Sequence, residues 1–202
     1  MSRSVPLPDY LRQPPAWFHT RILVGPGAAL TPRFISTYTI THVINCAFDE
    51  DSPMWFRLAY LDRYACMEAQ DSPLHNILSW YPLFEAYMKK FLRESHGVVY
   101  VHCQAGMNRS AFLALAYVCK HFSMIPEDMI PRLQQQRPCM FQNVVYRNQV
   151  KDFINGYLQS TQNPGNVDKR NDIGDTRLRS SGNHSEPARV DVDTGVITPG
   201  TQ

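Results

Sequence analysis

The segment from Gly97 to His121 limits the fold more than any other part of the chain. Gly97-Val-Val-Tyr-Val-His102 is a short apolar run, the pattern of a central strand covered on both faces. Ser110 to His121 predicts a helix. Between them, Cys103-Gln-Ala-Gly-Met-Asn-Arg109 leaves room only for a tight loop running from strand into helix.

Around this unit the same alternation recurs. Arg21 to Gly25 and His42 to Ala47 predict strands, and the alternating residues from Phe56 to Tyr64 predict another. Thr31 to Thr37 predicts a short helix with Pro32 in its first turn. Leu74, Ile77, Leu78, Tyr81, Phe84, Tyr87, Met88 and Phe91 recur at threes and fours, which predicts an amphipathic helix from Leu74 to about Arg93. A helix after Pro126 is expected to be short or kinked at Pro131, and a last helix is expected over Asn143 to Leu158. Strands alternating with helices imply an α/β fold, a central mostly parallel sheet flanked by helices. Ligands of such sheets bind beyond the carboxyl ends of the strands, where His102 to Ser110 falls.

The ends differ from the middle. Residues 1–15 are polar and proline-rich and predict a flexible arm, 16–159 a single folded domain. Residues 160–202 contain no Phe, Trp or Tyr and predict a disordered tail. The net charge of +2 argues against binding nucleic acid or membrane through bulk charge. The longest apolar run, Ala111 to Cys119, is too short to span a bilayer, and the N-terminus lacks the apolar stretch of a signal peptide. The five cysteines form no CxxC pair, so neither a zinc site nor a redox dithiol is indicated. An intracellular protein without metal or other cofactor is the expectation.

A loop of this kind has definite chemistry. A tight turn into a helix N-terminus aims several backbone N–H groups inward, an anion site reinforced by the helix dipole. Cys103 opens the loop, where the same field stabilises a thiolate. Arg109 closes it, and its planar fork can hold two oxygens of a phosphate at once. Gln104, Ala105, Gly106, Met107 and Asn108 supply the cradle, with Gly106 free to adopt backbone angles closed to other residues. Ser110 can donate its hydroxyl to the sulfur and help it leave.

His102-Cys103, five residues, then Arg109-Ser110 resembles the signature of the cysteine-based protein tyrosine phosphatase superfamily, in particular its dual-specificity branch, whose loops often read HCxAGxxRS. The resemblance covers about residues 16 to 158: Ile40 to Ala47 is similar to the strand reading GITHVLN, and Arg137-Pro138 with Gln142-Asn143 to the segment before the last helix. It implies metal-free hydrolysis of phosphotyrosine and phosphoserine or phosphothreonine, with phosphorylated proteins as substrates. It further implies that His102 orients the loop, that Asn143 supports it, and that an Asp about thirty residues before the cysteine is the general acid. Asp71 lies 32 positions before Cys103 and fits that place. Asp71-Ser-Pro also fits a helix cap, Glu68 and Asp62 compete for the acid's role, and Asp49-Glu50-Asp51 reads as a solvated turn. Some members carry a cysteine like Cys46 behind the loop, where it traps the oxidised nucleophile; a merely buried apolar cysteine is the alternative. Asn108 before the arginine resembles virus-encoded members and RNA 5′-triphosphatases, and Gln142 replaces a usual proline. Action on an RNA 5′ end or a phosphoinositide is therefore one alternative, but residues 104–108 carry no Lys or Arg for so anionic a substrate. A non-catalytic phosphate-binding module is the other.

Overall fold

The computed structural model describes residues 8–162. Five strands, β1 (Ala16–His19), β2 (Ile22–Pro26), β3 (Ile40–Asn45), β4 (Tyr64–Cys66) and β5 (Val98–Cys103), form one sheet in the order β1-β2-β5-β3-β4. Only the β1–β2 pair is antiparallel. The expected α/β architecture is the one observed.

Central β5 is buried at all six residues, and the period of two divides them between two cores. Val99, Val101 and Cys103 face α4 (Tyr81–Glu94), α5 (Arg109–Phe122), α6 (Pro126–Gln136) and α7 (Val144–Gln162). Val98 and Tyr100 face α2 (Pro32–Thr37) and α3 (Met54–Ala59), packing with Leu23, Val43 and Phe56. Helix α5 is buried without a break from Arg109 to Cys119, which is why its sequence is apolar on every side. Register then sets the site: β2 places Pro26 beside Cys103, and β3 places Asn45 beside His102.

Four local expectations need correction. Phe56 to Tyr64 is not a strand: Pro53 caps helix α3, a turn follows at Leu61–Arg63, and only Tyr64–Cys66 pairs with β3. Phe56 is buried while Leu58 is 69% exposed, so the alternation in that stretch is not a burial pattern. The helix expected from Leu74 begins later. Leu74 is 91% exposed, Asn76 caps a 3-10 turn at Ile77–Trp80, and α4 starts at Tyr81 with Pro82 in its first turn. The expected arm is partly ordered: Asp9–Arg12 forms a helical turn, α1, whose neighbourhood is hydrogen-bonded to the domain. The last helix runs to Gln162, so residues 160–162 belong to it rather than to the tail; residues 1–7 and 163–202 lie outside the described residues. Helix α6 continues through Pro131 to Gln136.

Candidate active site

β5 ends at Cys103 and α5 begins at Arg109, so five residues make the turn. Gly106 makes it possible. Its φ is +63°, and an added Cβ would lie 2.3 Å from the carbonyl carbon of Gly25 in β2. The loop is held from outside by Arg137, which is fully buried. Its guanidinium donates to the carbonyls of Ala105 (2.8 Å) and Gly106 (3.3 Å) on the loop. It also donates to those of Tyr10 (2.7 Å), Gln13 (2.7 Å) and Pro14 (3.2 Å) on the N-terminal segment. Across a trans peptide the N–H points opposite to the C=O, so carbonyls drawn outward turn the next N–H groups inward. Gln104, Ala105, Gly106 and Met107 donate no backbone hydrogen bond to any described residue.

Inside this cradle, the buried Cys103 thiol accepts a hydrogen bond from the Ser110 hydroxyl at 3.3 Å. Arg109 is 6% exposed and lies at the mouth of α5. Its Nη1 donates to the Ala69 carbonyl at 3.1 Å, and its Nε, 3.8 Å from a carboxylate oxygen of Asp71, has no hydrogen-bond partner. Arg109 therefore joins the cysteine loop to the loop after β4. Of the three carboxylates weighed as acid, only Asp71 meets the site. Glu68 is exposed at a left-handed turn, its backbone bound to Ala47. Asp62 precedes β4 and so sits at the opposite end of the parallel strands, beside Thr41 and His42. The Asp49–Asp51 turn is more structured than a solvated turn, since Asp49 accepts from Tyr64 Oη at 2.9 Å and pairs with Arg57 at 3.3 Å.

His102 turns to the other face of β5. Its Nε2 lies 2.8 Å from Ser52 Oγ, and its Nδ1 lies 3.4 Å from the Cys103 carbonyl. Burial above all pushes its pKa down to about 4, so the ring is neutral and serves as a bracket for the strand end. Asn143 meets the loop through its backbone, whose N–H donates to Asn108 Oδ1 at 3.0 Å, while its own side chain caps α7. Cys46 is fully buried behind the loop, its N–H bonded to the His102 carbonyl at 2.7 Å. Burial, and then the neighbouring Cys103, push its thiol well above the ordinary range. All five cysteines are unpaired. Ser52 and the clamping action of Arg137 were missed from sequence. Nothing local marks Ser52, whereas Arg137-Pro138 was visible as a motif without a contact to explain it.

The geometry has counterparts. The family model for the dual specificity phosphatase catalytic domain matches residues 22–155. Dual specificity protein phosphatase 22-B of Danio rerio is 29% identical over 120 residues, 59% of this chain and 62% of that protein. Serine/threonine/tyrosine-interacting protein A of Xenopus laevis is 28% identical over 142 residues, 68% of this chain and 63% of that one. The matches thus span less than two thirds of these relatives' own length. Among solved structures, human tyrosine phosphatase-like serine/threonine/tyrosine-interacting protein superposes with a TM-score of 0.56 at 23% identity, covering 73% of this chain and 99% of that one. Human DUSP28 superposes with a TM-score of 0.62 at 20% identity, covering 77% and 99%. At such identities the superpositions speak for the fold.

Proposed function

Because this chain belongs to the dual specificity phosphatase family, we propose that it hydrolyses phosphotyrosine and phosphoserine or phosphothreonine in proteins, with Cys103 as nucleophile. The observation that carries this reading is the buried Cys103 thiol, hydrogen-bonded by Ser110 under a loop of inward N–H groups that Arg109 closes.

In the first step the Cys103 thiolate attacks phosphorus in line. An S–P bond forms and the P–O bond to the substrate breaks. The departing oxygen takes the proton of the Asp71 carboxylic acid and leaves as an alcohol or phenol. In the second step water attacks phosphorus. Asp71, now a carboxylate, removes a proton from the water, the S–P bond breaks with its electron pair returning to sulfur, and phosphate departs. Arg109 and the loop N–H groups hold the equatorial oxygens throughout. Ser110 stabilises the returning thiolate.

A second reading has one observation in its favour. One of the curated relatives and one of the solved structures reported above are named interacting proteins, the latter a tyrosine phosphatase-like one. On that reading the loop captures a phosphorylated partner without turnover. One experiment separates the two: incubate wild type and Cys103→Ser with a peptide phosphorylated on Thr and Tyr, and measure phosphate released and peptide bound. Release by wild type and none by Cys103→Ser, with binding kept, supports the enzyme. Binding without release by either protein supports capture instead.

A further inference from the structure

Asp71 is poorly held by its own side chain. The carboxyl is 36% exposed and accepts no hydrogen bond from any described residue, and the Arg109 Nε at 3.8 Å lies beyond hydrogen-bond range. Its place beside Arg109 must come from the backbone on either side. There the loop is clamped by one oxygen. The Tyr146 hydroxyl, on α7, accepts from the Ser72 N–H at 2.9 Å and donates to the Gln70 carbonyl at 2.9 Å. These two residues flank Asp71 in the chain. One turn along α7, Gln149 repeats the grip: its amide oxygen accepts from the Ile77 N–H at 3.0 Å, and its amide nitrogen donates to the His75 carbonyl at 3.3 Å. Tyr146 is itself fully buried, its ring perpendicular to that of Phe112 on α5 at a centroid distance of 5.9 Å. The hydroxyl is therefore fixed relative to the helix that carries Arg109.

We propose that Tyr146 is the positioning residue of the general acid: its hydroxyl, bonded on both sides of Asp71, sets the carboxyl at the height of the leaving oxygen, with Gln149 holding the rest of the loop. The inference rests on the reading of Asp71 as the acid. Tyr146 touches no reacting atom and acts only through Asp71. Removing its hydroxyl keeps the ring's packing but frees the two peptide groups beside the acid.

The test uses leaving groups of different need. A phosphotyrosine peptide requires protonation of its phenolic oxygen. A difluorinated methylumbelliferyl phosphate releases a phenol acidic enough to depart as an anion, so the acid contributes little. Tyr146→Phe is expected to lower kcat on the peptide on the order of tenfold, the effect of two lost neutral hydrogen bonds, with KM nearly unchanged. On the fluorinated ester the loss is expected to be about twofold or less on the same principle of transition-state attribution. In an Asp71→Asn background, Tyr146→Phe should have no further effect on the peptide. Equal losses on both substrates, or an undiminished loss in the Asp71→Asn background, would overturn the inference, since a general loosening of the fold behaves that way. Failure of the underlying reading looks different. Wild type inactive on both esters, or Asp71→Asn with no preference between them, removes the acid itself, and the positioning inference with it.

Discussion

Gly106 shows how one residue can carry both shape and chemistry. Its φ of +63° is costly for any residue with a side chain, and the space for a Cβ is filled by the backbone of Gly25 at 2.3 and 2.4 Å. Backbone in the middle of a sheet cannot swing aside as a long side chain can. Gly106→Ala should therefore cost roughly 2–4 kcal/mol, combining the left-handed angle with overpacking. Because relief would tilt the peptides whose N–H groups face Cys103, activity should fall further than stability does. Chemical denaturation and kcat/KM on a phosphopeptide measure the two separately. Gly156 is the control: it lies on the exposed face of α7 with nothing within 4 Å of an added Cβ, so the same change there should be neutral or stabilising and leave kcat/KM alone. If Gly106→Ala matches Gly156→Ala, the loop is softer than its contacts imply.

At the scale of elements, the site joins one locally specified unit to several pieces gathered from far away. The β5–loop–α5 unit was legible because everything it needs is adjacent in sequence: apolar residues, a glycine at the turn, and a helix start. The alternation in order of the chain also gave β2, β3 and β5 and the mostly parallel character of the sheet, but not the edge strands β1 and β4. Phe56 to Tyr64 misled because apolar residues alternating over a few positions fit either state; in the structure Pro53 stands at the N-cap of α3. Tyr146 lies 74 positions from Ser72, and Arg137 lies 127 from Tyr10. Their roles depend on partners that no spacing rule connects. Asp71 was placed by resemblance, not by local pattern, and the structure sets it against Arg109. Arg137 yields a prediction at this scale. It bridges the N-terminal segment, the active-site loop and the end of α6 from a fully buried position. Arg137→Met leaves five carbonyl contacts without a donor and should destabilise by about 3–5 kcal/mol, the cost of several buried acceptors left unsatisfied. Arg137→Lys keeps the charge but cannot fork, so it should rescue part of the stability and little of the activity. Full activity in Arg137→Lys would mean that charge alone, without the guanidinium geometry, holds the loop.

For the molecule as a whole, α5 is the axis, with a different electrostatic task at each end. Its N-terminus presents Arg109 to the site. Its C-terminal turn carries Lys120 and His121, both bonded to Glu85 of α4, and Glu85 also pairs with Lys89 at 3.3 Å. Lys120 Nζ lies 5.3 Å from the centre of the Tyr81 ring and 5.6 Å from that of Tyr157, so α4, α5 and α7 meet around one ion pair. Cations at a helix C-terminus also complement its dipole. Burial pushes the Glu85 carboxyl upward, but the hydrogen bonds from Lys120 and His121 together with the Lys120 charge outweigh it and hold the pKa down at about 2, against 4.5 ordinarily. A carboxyl with a lowered folded-state pKa stabilises the fold fully above its unfolded value and loses that contribution as pH falls through the folded one. The stability difference between wild type and Glu85→Gln should therefore stand at roughly 1–2 kcal/mol, after solvent screening, at about pH 5. It should then shrink steadily between about 4.5 and about 2. The hub lies at the far end of α5 from Cys103, so Glu85→Gln should keep its kcat/KM at neutral pH. Denaturation midpoints of both proteins across that range give the answer: a difference that stays flat down to pH 2 would show that the three helices are joined by packing, and that the charge is incidental.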